Sequence, residues 1–83
     1  MQFFEYKGYI IYPTPQFVIG SGNWKTELIL KHNNSIEKYS NDDMYSTRAE
    51  AFFHAIQFGK KLIDEGIVFI KEAVWLLSYF TQP

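Results

Sequence analysis

An α+β domain, with a three-stranded antiparallel β-meander covered on one face by one long α-helix and followed by a C-terminal apolar helix, is the fold that three observations predict. First, Thr47-Arg48-Ala49-Glu50 opens a segment of helical periodicity that runs to Asp64-Glu65 and stops at Gly66. Second, Trp24 to Lys31 alternates with period two, as a half-buried strand requires. Third, Asn33-Asn34 joins that strand to another with the residues of a two-residue hairpin turn. Eighty-three residues make a single domain: 1–46 the meander, 47–65 the helix, and 67–83 an apolar C-terminal segment.

Phe3 to Tyr6 and Tyr9 to Tyr12 are rich in aromatic and β-branched residues and are separated by Lys7-Gly8. The pair reads either as a hairpin turn or as one strand bulged at Gly8, with the bulge preferred. Pro13-Thr14-Pro15 lacks two backbone donors and is expected to end the pairing. Gly20-Ser21-Gly22-Asn23 is a turn, and between them lies a loop with an extended stretch from Phe17 to Ile19.

In the next strand Trp24, Thr26, Leu28 and Leu30 share the core face, while Lys25, Glu27, Ile29 and Lys31 share the other. A turn centred on Asn33-Asn34 sets Leu28 opposite Tyr39, Ile29 opposite Lys38 and Lys25 opposite Asp42. The partner strand runs from Ile36 to Ser40, and Asn41-Asp42-Asp43 forms a polar turn into the helix.

Within the helix, Thr47 is placed to accept from the Glu50 N–H while the Glu50 carboxylate reaches back to the Thr47 N–H. Ala49, Phe52, Phe53, Ile56, Leu62 and Ile63 form its apolar stripe. Gly59 costs about 1 kcal/mol relative to alanine in a helix, which points to close approach of the backbone to an aromatic of the sheet. The expected core is Tyr9, Ile11, Trp24, Leu28, Leu30, Tyr39, Phe52, Phe53, Ile56, Leu62 and Ile63.

Composition narrows the function. The absence of cysteine excludes thiol catalysis, iron–sulfur clusters and cysteine zinc sites, and it suits a reducing compartment. The N-terminus lacks the basic start and unbroken apolar run of a signal peptide, so the chain reads as cytoplasmic. A formal charge of −1 leaves no cationic excess to engage phosphates, which makes nucleic acid an unfavoured partner. His32 and His54 are the only imidazoles and sit on separate elements, so they read as packing or surface residues and no metal or other cofactor is expected. Asp42-Asp43 and Asp64-Glu65 are adjacent pairs in turn and helix-end positions, where solvated carboxylates are routine. Gly20-Ser21-Gly22 lacks the remaining glycines, the Lys and the helix of a phosphate loop. No catalytic constellation emerges, and the chain reads as a non-enzyme.

The segment 67–83 carries the strongest functional signal. Ile70, Ala73, Val74, Leu77 and Phe80 make a helical stripe, and Trp75, Leu76 and Tyr79 lie off it, so a helix here is apolar around too much of its circumference for a solvated surface. A short strand over Ile67 to Ile70, with a helix only from Lys71, is the alternative. Ile70, Val74, Trp75, Leu77, Tyr79 and Phe80 are the candidate interface residues, and a homodimer, or a contact with another protein, is the expected way to bury them, with folding back on the domain's own core and attachment to a membrane surface as the two alternatives. The segment is too short to span a bilayer. Two alternatives stand beside this interaction or regulatory module: a nucleic-acid-associated regulator and a small-molecule binding domain.

Lys7-Gly8-Tyr9 with Ile11 and Pro13-Thr14-Pro15, Gly22-Asn23-Trp24, Thr47 to Ala51, Phe58-Gly59-Lys60 and Ile63-Asp64 together resemble a family of short, uncharacterised cyanobacterial proteins. The resemblance covers about residues 4 to 66, its residues are turn, cap and packing positions, and it implies a sheet-plus-helix fold with no assigned activity. More loosely, the strand-strand-strand-helix order looks like HicB-like antitoxins and double-stranded-RNA-binding-like domains, without a residue pattern that carries either function over.

Overall fold

The structure is a computed structural model and describes residues 2–66. The predicted C-terminal apolar helix lies outside the described residues. Five strands, β1 (Phe4–Tyr6), β2 (Tyr9–Pro13), β3 (Gln16–Val18), β4 (Asn23–His32) and β5 (Ser35–Tyr45), form one antiparallel sheet, and α1 (Arg48–Asp64) packs on one of its faces. The α+β class and the strand-then-helix order stand as predicted, while the strand count rises from three to five.

β1 and β2 are a hairpin, with Tyr6 opposite Tyr9 and a two-residue turn at Lys7 (φ 49°) and Gly8 (φ 84°). Two consecutive positive φ angles match the twist of the flanking strands, so the turn replaces the expected bulge. The next departure follows from β4, which at ten residues is long enough to pair twice along one edge. Leu28 to Lys31 pair with Pro13 to Ile10 of β2, and Asn23 to Lys25 pair with Val18 to Gln16 of β3. The Thr14 N–H donates to the Glu27 carbonyl at 2.9 Å between them. Pro13-Thr14-Pro15 therefore interrupts the ladder without ending it: prolines lack a donor, but Thr14 between them supplies one.

On the other edge of β4, Leu28 faces Tyr39 and Ile29 faces Lys38, the register the turn position predicts, and Asn33 takes φ 53° in that turn. Beyond Glu27 the register shifts, so Lys25 meets Met44 in place of Asp42 and Trp24 meets Tyr45. Asn41 to Asp43 form a bulge inside a continuous strand, with the Asp43 N–H donating to Asn41 Oδ1 at 2.9 Å. The expected polar turn is thus a bulged run of β5, stabilised by renewed pairing on its far side.

The core lies between α1 and the face of β2 and β4 that carries Tyr9, Ile11, Leu28 and Leu30, all buried. Trp24 and Tyr39, also expected there, are half-buried at its margins. The buried stripe of α1 is Ala51, Ala55, Gly59, Leu62 and Ile63. Leu62 and Ile63 were expected, but the first three turns are rotated from the predicted face: Phe52 and Ile56 are half-buried flanks, Phe53 is 55 % exposed and Ala49 is exposed. Side-chain size explains the rotation, because alanine and glycine let the helix axis approach the sheet, leaving the aromatic rings to wrap the sides. Phe52 accordingly meets Phe4 edge-on at 6.1 Å. Gly59 sits directly on Ile11, an aliphatic side chain where an aromatic was expected.

Thr47 caps the helix as predicted: the Glu50 N–H donates to Thr47 Oγ1 at 3.1 Å. The Glu50 carboxylate receives the hydroxyls of Thr47 (3.0 Å) and Ser46 (3.3 Å) rather than the Thr47 N–H. Thr47→Ala is expected to lower stability by about 1 kcal/mol, measurable as a lower urea midpoint with unchanged slope. At the other end Gly66 adopts φ 69° and its N–H donates to the Ile63 carbonyl at 3.2 Å, the left-handed stop that a residue without Cβ accommodates.

Candidate interaction surface

Alternation along β2 and β4 decides what the second face of the sheet presents. Because Ile11, Leu28 and Leu30 point into the core, Ile10, Tyr12 and Ile29 point away from α1. The register carries this face outward: Ile10 is opposite Lys31, which is opposite Ile36, and Tyr12 is opposite Ile29, which is opposite Lys38. Phe3 joins them, its ring 5.7 Å from that of Tyr12. Among the described residues no element covers this face, and Ile36 and Phe3 remain 67 % and 52 % exposed. Glu27, on the same face, is buried and pairs with Lys38 at 2.5 Å. The burial of its carboxylate is thereby compensated.

The six candidate interface residues, Ile70, Val74, Trp75, Leu77, Tyr79 and Phe80, lie outside the described residues. What the structure does place is the point from which their segment departs. The Tyr6 hydroxyl donates to Asp64 Oδ1 and Oδ2 at 2.9 and 2.8 Å, and Lys7 Nζ reaches Oδ1 at 2.6 Å. The last turn of α1 is therefore tied to the β1–β2 turn. Lys7 and Lys60 also stand 5.4 and 5.5 Å from the Tyr6 ring centroid, so an aromatic face and a carboxylate share two cations.

Hydrogen bonds from Lys7 and then Tyr6, assisted by the charges of Lys7 and Lys60, hold the Asp64 carboxyl below the usual carboxylate value. Its hydrogen bond to Asp64 raises Lys7, and the same partner raises Tyr6. A depressed carboxyl contributes stability that is present above its unfolded pKa and lost as pH falls through the folded one. Raised Lys7 and Tyr6 contribute below their unfolded values and lose that contribution at alkaline pH. The triad thus acts fully from weakly acidic to weakly alkaline pH. Asp64→Asn is expected to flatten the drop in melting temperature on acidification below about pH 4, and added salt to shrink the difference, because the groups are exposed. Thermal melts at several pH values, with and without salt, check this.

Neither histidine stands apart from the packing. His32 stacks on Tyr9 at 4.2 Å, with Nδ1 3.1 Å from the Gly8 carbonyl oxygen, to which it donates. His54 stacks flat on Tyr45 at 4.2 Å, with Phe53 edge-on at 5.4 Å. No group of three metal-ligating side chains occurs among the described residues. The β5 bulge does assemble something the sequence did not signal: a cleft of about 260 Å³ where Asn41 and Asp43 face His54, Gln57 and Lys61 of α1. Positions 54, 57 and 61 share a helix face, but the bulge that brings Asp43 to them has no local sequence signature. This cleft could hold one small polar group, being smaller than the roughly 300 to 1,000 Å³ of ligand pockets.

No helix among the described residues is long and apolar enough to cross a membrane. No family model, curated protein or solved structure matches this chain.

Proposed function

We propose that this protein is a non-enzymatic protein-interaction or regulatory module of the cytoplasm that forms a homodimer through its apolar C-terminal segment. The observation that carries the reading is the run from Ile67 to Phe80, in which Lys71 and Glu72 are the only charged residues and apolar residues occupy both sides of a helical projection. A surface of that kind in a small chain is relieved most simply by two-fold self-association. Several ionisable groups among the described residues support the non-enzymatic part: Asp64 holds Tyr6 and Lys7, Glu27 holds Lys38, Glu50 supports the helix cap, and both histidines stack on tyrosines. These are structural duties. Static light scattering on the full chain over a concentration series is expected to give twice the monomer mass, and Trp75→Asp to return it to one. A wild-type monomer at the highest concentration would end the dimer reading.

A further inference from the structure

We propose that the cleft between the first turn of α1 and the β2–β3 connection binds a carboxylate attached to a small apolar body, with Arg48 as the group that receives the charge. The site uses other residues than the self-association above and stands or falls independently of it.

One wall is built by two prolines. Pro13 and Pro15 are buried and have φ fixed by their rings, and Thr14 between them donates its N–H to the Glu27 carbonyl at 2.9 Å. Gln16 Nε2 donates to the Thr14 carbonyl at 3.2 Å. The connection is therefore held to β4 and to itself before any ligand arrives. The other wall is the start of α1. Arg48 is the first residue of the helix and Phe52 lies one turn further, with the guanidinium 5.8 Å from the Phe52 ring centroid. Phe52 is positioned in turn by its edge-on contact with Phe4. The space between the walls, completed by Gln2, is about 440 Å³. That volume falls within the roughly 300 to 1,000 Å³ of ligand sites, unlike the cleft at the β5 bulge.

Charge selects the class of ligand. No acidic residue lines this cleft. Among the described residues the ion pairs join Lys7 to Asp64 and Lys38 to Glu27, and neither engages Arg48. Glu50, the acid closest to Arg48 along the chain, receives the hydroxyls of Ser46 and Thr47 instead. Two other clefts differ in this respect: Lys7, beside the β1–β2 turn, is already held by Asp64, and Lys61 shares its cleft with Asp43. The positive end of the seventeen-residue helix adds to the charge of Arg48. A guanidinium presents its N–H donors as a planar fork that matches the two oxygens of a carboxylate. Pro13, Pro15 and Phe52 supply apolar surface for the rest of the molecule, which favours an organic acid over a bare inorganic anion.

The test is an amide-shift titration of the isotope-labelled full chain. Benzoate is expected to give saturable shifts at Thr14, Gln16 and Arg48. Benzamide, its neutral counterpart, should bind about tenfold more weakly or worse, and Arg48→Gln should lose a similar factor for benzoate, the scale of a hydrogen bond to a charged group. Arg48→Lys, which keeps the charge without the fork, should recover part of that loss, and Lys61→Gln, in the other cleft, should change nothing. N-acetylphenylalanine, titrated in parallel, stands in for a peptide end: the tighter of the two acids assigns the carboxylate to a free small molecule or to a chain terminus. Equal binding of benzoate and benzamide overturns the proposal, as do inorganic phosphate binding as tightly as benzoate, an Arg48→Gln chain that binds like wild type, and the absence of saturable shifts with either acid. Should Arg48→Gln not fold, the comparison of benzoate with benzamide on the wild-type chain decides alone.

Discussion

Leu28→Ala is expected to remove about 2 to 5 kcal/mol of stability, the range for a buried leucine truncated where the surroundings cannot collapse. Leu28 is fully buried in the long central strand, with Tyr39 opposite it on one side and Pro13 on the other, and α1 lies above. Paired backbone on both sides holds the walls of the resulting cavity in place, which favours the upper half of the range. Small domains have only about 5 to 15 kcal/mol in total. The variant should therefore melt at a much lower temperature or fail to accumulate as folded protein. Ile29→Ala, one residue along and facing away from α1, should cost less. Urea unfolding of the two variants tests the face assignment, and equal effects, or a larger effect at Ile29, would reverse it.

Gly59→Val is expected to destabilise by about 2 to 3 kcal/mol, against the trend for a helical glycine, whose replacement normally gains helix propensity. A Cβ at Gly59 would stand 3.0, 3.1 and 3.3 Å from three side-chain carbons of Ile11. Ile11 is fully buried between β1 and β4, so it has little room to yield. The helix must lift or the isoleucine must leave its rotamer. Gly59→Ala brings that same Cβ against Ile11, so it too should destabilise, but by less than valine, whose two further methyl groups must also find room. Ile11→Val is the diagnostic partner: alone it costs about 0.5 to 1.5 kcal/mol, but combined with Gly59→Val it should recover part of the loss. A double-mutant cycle measures that coupling, and strict additivity would show that the two residues do not press on one another.

Gly59 also shows how far the helix was legible. Its two ends were written locally, in Thr47 with Glu50 and in Gly66, because caps satisfy backbone groups within four residues of themselves. Its phase was not. Hydrophobicity alone selected Phe52, Phe53 and Ile56, whereas the sheet admitted Ala51, Ala55 and Gly59, the narrowest side chains. Burial of a helix face depends on how closely two surfaces approach, and that distance is a property of both surfaces together.

The strands divide in the same way. Alternation in β4 identified both of its faces, and a two-residue turn at Asn33-Asn34 gave the pairing of Leu28 with Tyr39 and Ile29 with Lys38, since such a turn leaves one register open. The same rule missed the Lys25 to Met44 pairing, because a bulge shifts every pair beyond it and Asn41 to Asp43 read equally well as a turn. With the bulge went the cleft in which Asp43 faces His54 and Lys61, residues on different elements with no fixed spacing between them. β3 reads in the sequence only as an extended stretch from Phe17 to Ile19 within a loop, for a related reason: three residues after two prolines carry too little pattern to show their pairing without the edge of β4.

The α+β class, the caps of α1, the core face of β4 and the register near its hairpin were readable from the residues alone, all of them consequences of interactions within a few residues or of one repeating period. The phase of the helix, the second pairing along β4, the bulge, and the tie from Asp64 to the β1–β2 turn came instead from packing in three dimensions. Each of these turns on which distant surfaces meet and how closely, and van der Waals contact and strand pairing are satisfied in space, not along the chain.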